Sequence, residues 1–122
     1  MRLESSKLLS DMKGAAERVV RFTPQRSRAD YQGDEFLRSA VERQFEIIGE
    51  ALGKLVRTDA PTAARITEYR RIITFRNVLI HGYDSLSNDV VWDIVEMKLP
   101  VLMAELDQLL SQPDDTSPPP AP

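Results

Sequence analysis

The chain has 122 residues, of which 42% are hydrophobic and 29% are charged, and it contains one histidine and no cysteine. This length supports a single domain with one modest core. The lack of cysteine excludes disulfides and thiolate metal sites and suits a reducing cytoplasm. No apolar run approaches the length of a membrane span, so we expect a soluble, cytoplasmic protein without a membrane segment.

The formal net charge of −3 is unevenly distributed along the chain. Residues 18–76 carry 12 Lys/Arg against 8 Asp/Glu, whereas residues 77–122 carry 1 against 8. Two interpretations remain open. The halves form a basic face for RNA phosphates beside an acidic face for a protein partner, or the acidic residues solvate the last helix and tail.

Helical spacing of apolar residues predicts a first helix over residues 3–22. Residues 25–29 are then expected to form a polar loop, in which Arg26 and Arg28 meet either solvent or an RNA backbone.

The second helix is predicted to begin between Asp30 and Asp34, both suitable N-caps, and to run to about Arg57. Gly49 and Gly53 within it suggest the close approach of another backbone. Its predicted apolar face consists of Phe36, Leu37, Ala40, Val41, Phe45, Ile48, Ala51, Leu52 and Leu55.

A cap at Thr58-Asp59 followed by Pro61 predicts a short helical segment. It leads into a third long helix that begins near Ile66 and stops at Gly82, the expected C′ glycine. Cations off the centre of its apolar stripe are either surface charges or phosphate contacts, and the sequence does not choose between these roles; they are Arg65, Arg70 and Arg71.

Arg76 falls near the middle of that apolar stripe, where a guanidinium is costly without an anionic or carbonyl partner. Glu46 and Glu50, one turn apart on the second helix, are better explained as partners of such an arginine than as a catalytic pair. Asn77 and His81, spaced i, i+4, lie side by side on the stripe's edge.

The last helix is expected to be capped by Ser87 or Asn88 and to be kinked or split at Pro100. Trp92 on this helix is expected to anchor the core or an interface. The Pro-rich residues 111–122 cannot build a core and should be disordered, which leaves residues 1–110 as the domain.

Three segments resemble one family in the order expected for it. Residues 76–83, with the sequence RNVLIHGY, resemble the signature of HEPN-domain ribonucleases: Arg, four spacer residues, then His-x-Tyr. Residues 39–51, SAVERQFEIIGEA, are similar to the second-helix block of the HepT-like toxin branch, and Val91-Trp92-Asp93-Ile94 with Leu99-Pro100 is similar to its last-helix landmarks. The resemblance implies the HEPN fold, an all-α, antiparallel bundle of four to five helices, as the helical patterns also predict.

The resemblance also implies a ribonuclease that needs neither metal nor cofactor. In this scheme the RNA 2′-hydroxyl attacks the adjacent phosphate, leaving a 2′,3′-cyclic phosphate and a 5′-hydroxyl. Arg76 stabilises the phosphorane charge, His81 transfers protons and Asn77 supplies an orienting hydrogen bond. One imidazole cannot easily be base and acid in a single step, so a homodimer with a composite active site is expected.

Resemblance to this branch further implies a toxin of a type II toxin–antitoxin system, which is paired with a nucleotidyltransferase antitoxin. The resemblance implies that such a partner transfers AMP to Tyr83, placing phosphate charge where the RNA must bind. Neutralisation by complex formation without modification is the other mode that stays open. Two alternatives stay open: a non-catalytic HEPN module that binds a nucleotide or a protein, and a structural bundle in which His81 only caps its helix.

Overall fold

A computed structural model describes residues 1–81 and 87–112 of the chain. All regular elements within these two stretches are helical, which confirms the predicted all-α bundle. The elements are α1 Leu3–Phe22, α2 Arg28–Gly33, α3 Glu35–Thr58, α4 Ala60–Ala63, α5 Tyr69–His81, α6 Asn88–Asp93, a π-helical turn Ile94–Lys98, and α7 Leu99–Leu110.

Helix α3 is the centre of the bundle and contacts α1, α2, α4 and α5, while α7 closes the core by packing on α1. Because apolar side chains recur every three or four residues on these helices, each one presents a continuous stripe to the core. Among the side chains buried most completely are Leu9, Met12, Val19, Tyr31, Val41, Ile48, Leu52, Leu55, Val91 and Leu106.

The region between α1 and α3 differs from the predicted loop. Ser27 caps α2 by accepting a hydrogen bond from Asp30 N (3.1 Å), and the Asp30 carboxylate accepts one from Ser27 N (2.8 Å). This reciprocal capping box places Arg28 in a helix, and the expectation of a loop through residue 29 is therefore wrong. Asp34 is the cap of α3, since its carboxylate accepts from Leu37 N at 3.0 Å.

Phe36 does not belong to the core face of α3, because it lies in the first turn and is 85% exposed. The rest of the predicted face is confirmed in large part, with Leu37, Val41, Phe45 and Ile48 among its buried members.

Acidic residues of the last part of the chain pair with cations of earlier helices. Arg28 of α2 donates to Asp89 (3.0 Å) and to Asp93 (2.5 Å) of α6. Lys13 of α1 lies 2.9 Å from Asp107 of α7. These carboxylates therefore brace α6 and α7 against the first half of the chain, which neither of the two interpretations of the charge distribution had anticipated.

Helix α5 begins three residues later than expected. Ile66 is buried, but it lies in a turn because Glu68 takes a left-handed backbone conformation (φ 56°) that interrupts the helix. The preceding turn is tied to α7, since Thr67 N and Oγ1 donate to the Glu105 carboxylate at 3.0 and 2.7 Å.

The last helix is interrupted as predicted, and the interruption is a π-helical turn. Ser87 caps α6, and Pro100 sits in the first turn of α7, where its missing N–H costs little. Trp92 is 3% exposed and donates from Nε1 to Glu96 Oε1 (2.5 Å), which confirms its role as a core anchor. Residues 113–122, most of the predicted tail, lie outside the described residues.

Candidate active site on helix α5

Helix α5 packs mainly against α3 and has no fully buried residue. Its apolar side chains are half-buried where they meet the core, among them Ile72, Ile73, Phe75 and Leu79. The helix is therefore attached along one side, and its remaining surface is available for other contacts.

Gly49 of α3 is the point where α5 comes closest. A Cβ placed on Gly49 would overlap the Cβ of Arg76, lie 2.7 Å from its Cγ and lie 3.5 Å from the Ile72 carbonyl oxygen. The prediction of a close approach at Gly49 is confirmed. At Gly53 it is wrong, because the nearest atom to a methyl group at that position would be Arg57 Nη1 of the same helix at 3.7 Å.

This contact explains the arginine on an apolar stripe. The alkyl stem of Arg76 fills the space above Gly49 and contributes apolar surface to the helix contact, while the guanidinium extends beyond it.

The Arg76 guanidinium is only partly satisfied within the described part of the chain. Nη1 donates to Asn77 Oδ1 at 3.2 Å, whereas the buried Nε has no acceptor there. Glu46 lies 3.5 Å from Arg43 and Glu50 lies 4.0 Å from Lys54, so these carboxylates are engaged by their own helix and do not pair with Arg76. A guanidinium so placed retains donors for an incoming anion.

Asn77 and His81 are exposed and lie one turn apart on α5, with His81 as the last residue of the helix. The predicted i, i+4 neighbourhood is therefore present. Arg76 and His81 are separated by about 7.5 Å along the axis, and Asn77 stands between them in azimuth. Tyr83, the predicted modification site, lies outside the described residues.

A groove lies on another side of α5, and none of the predicted site residues lines it. This groove of about 460 Å³ separates α5 from the π-helical turn and α7. It is mostly apolar, with Phe45 and Phe75 in its wall, and Glu68 spans one end to Lys98 at 3.1 Å. Size alone would have favoured this groove as the ligand site, but its lining carries no acid–base chemistry comparable with His81.

Within residues 1–81 and 87–112, no group of three or more His, Cys, Asp or Glu side chains is placed to hold a metal ion. Over the same stretches, no helix has the length and apolarity needed to cross a membrane.

The fold and the site together define a class of protein: a helical bundle with an arginine, an amide and an imidazole at the exposed end of one helix. The family model described as "Ribonuclease HepT-like" matches residues 12–109. The chain belongs to this family of HepT-like ribonucleases, as the sequence resemblance indicated.

Two relatives illustrate the similarity. The chain is 28% identical over 99 residues to "Putative RNase MJ1380" of Methanocaldococcus jannaschii, an alignment that covers 81% of this chain and 90% of the relative. It is 31% identical over 101 residues to "Probable ribonuclease HepT" of Thermococcus cleftensis, covering 83% and 91%. No solved structure matches the chain.

Proposed function

We propose that this protein is a metal-independent endoribonuclease and the toxin of a type II toxin–antitoxin pair. The observation that carries the proposal is the grouping of Arg76, Asn77 and His81 at the end of α5, in a chain of the HepT-like ribonuclease family.

The chemistry follows from what each side chain supplies. A base removes the proton of the RNA 2′-hydroxyl, whose oxygen attacks the adjacent phosphorus while the bond from phosphorus to the 5′-oxygen breaks and that oxygen takes up a proton. His81 transfers protons, for which an imidazole has the appropriate intrinsic pKa range. Arg76 stabilises the charge that develops on the phosphorane, and Asn77 holds its guanidinium through the 3.2 Å hydrogen bond.

Proton removal and proton delivery on opposite sides of one phosphate call for two groups. A two-fold dimer supplies them by bringing two Arg76/His81 sets to one cleft. The surface of α5 supports this arrangement, because no residue of the helix is fully buried and Ile80, beside the site, is 46% exposed. A second copy covering that face would bury Ile80 and complete the site.

The antitoxin in this proposal is a nucleotidyltransferase that uses a nucleoside triphosphate. The Tyr83 hydroxyl gives up its proton to a base and attacks the α-phosphate of ATP, pyrophosphate leaves, and AMP stays on the tyrosine. Because Tyr83 follows His81 by two residues, the added phosphate would repel the RNA backbone from the site. Intact mass after co-expression tests this step: the chain should gain the mass of AMP, and Tyr83→Phe should not.

The decisive test of the ribonuclease is cleavage of cellular RNA by the purified protein in the presence of a chelator. Wild type should leave 2′,3′-cyclic phosphate ends, and His81→Ala should lower the rate about 10²- to 10⁴-fold, as expected on removing a general acid–base group. Lys7→Ala, at an exposed position of α1, is the control and should cleave normally. Cleavage that chelators abolish and His81→Ala leaves intact would refute the mechanism, and no cleavage by unmodified wild type would favour the binding-module alternative.

A further inference from the structure

Two adjacent arginines in the first turn of α5 have different surroundings. Arg71 Nη1 lies 3.3 Å from a carboxylate oxygen of Glu68 and borders the apolar groove. Arg70 is exposed, and within residues 1–81 and 87–112 no carboxylate lies within ion-pair distance of it. Its guanidinium carbon is 5.4 Å from the centroid of the Tyr69 ring. The structure thus distinguishes two cations that the sequence left equivalent.

Arg70 shares a face with the candidate active site. Intervals of four, three and four residues place Arg70, Thr74, Asn77 and His81 within an arc of about 60° on a regular helix, and all four are exposed. Arg70 precedes Asn77 by about 10 Å along the axis. Arg71 is turned by about 100° toward the groove. The polar face of α5 therefore extends from His81 and Asn77 at the end of the helix back to Arg70 in its first turn.

Ion pairing within the described residues does not account for a cation at this position. The first turn of α5 contains no acidic residue, and positive charge near the N-terminus of a helix is unfavourable because it opposes the helix dipole. Glu68 offsets this effect for Arg71. Arg70 lies against the Tyr69 ring but has no carboxylate partner within the described residues, so a ligand of opposite charge would supply the compensation that Glu68 gives to Arg71.

We propose that Arg70 binds a phosphate of the RNA strand other than the one that is cleaved, so that the backbone follows the polar face of α5. The inference rests on the proposed ribonuclease function and assigns it a substrate-binding subsite. A guanidinium suits this role because it forms two parallel hydrogen bonds to phosphate oxygens. The contact would position the strand without reading its sequence.

The test uses the full chain and a single-stranded oligonucleotide with 2′-O-methyl groups, which binds but cannot be cleaved. Its dissociation constant is measured against salt concentration for wild type, Arg70→Gln, Arg70→Lys and Arg71→Gln. Arg70→Gln should weaken binding about three- to tenfold at low salt and reduce the slope of log affinity against log salt by about 0.7, the value for one phosphate contact on a single strand. Arg70→Lys should keep most of that slope, and Arg71→Gln should match wild type.

Cleavage kinetics give a second readout. Arg70→Gln should raise KM on a long substrate with kcat unchanged, and should have no effect on a dinucleotide too short to reach Arg70. Equal affinity and slope for Arg70→Gln and Arg71→Gln would overturn the subsite even if wild type cleaves RNA. An Arg70-dependent slope in a protein that does not cleave would instead support the subsite and refute the ribonuclease. A wild type that does not bind the oligonucleotide refutes the subsite outright.

Discussion

Helices α1 and α5 pack against the same central helix, but they are buried to very different extents. Seven residues of α1 are buried, whereas α5 has none. Helix α1 also contacts α7, so it is enclosed from two sides, while α5 relies mainly on α3. The difference separates the parts of the bundle by packing: α1 is committed to the core, whereas α5 keeps exposed surface, which the proposed function assigns to substrate and a second chain.

The largest effect on stability is expected from shortening a buried side chain of α1. Met12 is fully buried, so Met12→Ala should lower the free energy of unfolding by about 2–5 kcal/mol. Ile80→Ala, on exposed α5, should cost less than about 1 kcal/mol. Denaturant unfolding at two protein concentrations makes the comparison and separates lost folding from lost association. Equal, concentration-independent losses would contradict the distinction between the two helices.

A smaller loss of stability, accompanied by a loss of RNA cleavage, is expected for a substitution where α5 meets α3. Gly49→Ala places a methyl against the stem of Arg76, so we expect a loss of about 1–3 kcal/mol together with reduced cleavage, because the guanidinium must move. Gly53→Ala is the matched control in the same helix. Its methyl meets only an ordinary contact at 3.7 Å, so higher helix propensity should stabilise it by up to about 1 kcal/mol. Thermal melting and the RNA cleavage rate check both variants, and a stabilised, active Gly49→Ala would refute the contact.

The smallest effect on stability is expected at Asp59, which follows α3 and accepts a hydrogen bond from Ser5 of α1. Burial tends to raise the pKa of Asp59, but hydrogen bonds from Thr62 and from Ser5 of α1 outweigh it, so its pKa lies below the ordinary 3.8. A lowered folded pKa means that this carboxylate stabilises the protein above the unfolded pKa and that the contribution disappears as the pH falls through the folded value.

We therefore expect Asp59→Asn to cost about 1 kcal/mol at neutral pH, and the stability curves of variant and wild type to converge in acid. The measurement is the free energy of unfolding between pH 7 and pH 2. Asp11→Asn, which removes an exposed pair with Lys7 at 3.5 Å, is the control and should change little. A constant difference between the Asp59→Asn and wild-type curves at every pH would contradict the assigned role of ionised Asp59.

Much of the fold could be predicted because its signals are local. The limits of α1, the cap at Asp34 and the interruption near Pro100 each follow from a few neighbouring residues. The same kind of signal was present at Ser27-x-x-Asp30 and predicts α2, although the surrounding polar composition resembled a loop. Phe36 was misassigned because helical spacing alone does not reveal where a neighbouring helix ends.

The residues proposed for the site stand out from the sequence, but their structural support does not. The packing of the Arg76 stem on Gly49 could not be inferred, because that contact exists only once two distant helices have docked. The start of α5 was missed for a similar reason. A left-handed Glu68 is held in place by a turn anchored 38 residues away at Glu105, and nothing in the local sequence encodes that contact.

The hydrogen bonds from Thr67 to the Glu105 carboxylate affect where the molecule unfolds locally. Because α5 is held mainly by α3, with the Thr67–Glu105 hydrogen bonds and the Glu68–Lys98 pair at its start, we expect it to detach while α1, α3 and α7 stay packed. Amide hydrogens of α5 should then exchange with solvent through local opening, well before those of α1. Each opening would take Arg76 away from Gly49 and disperse the proposed site, so a ligand or subunit that holds α5 in place should also slow its exchange.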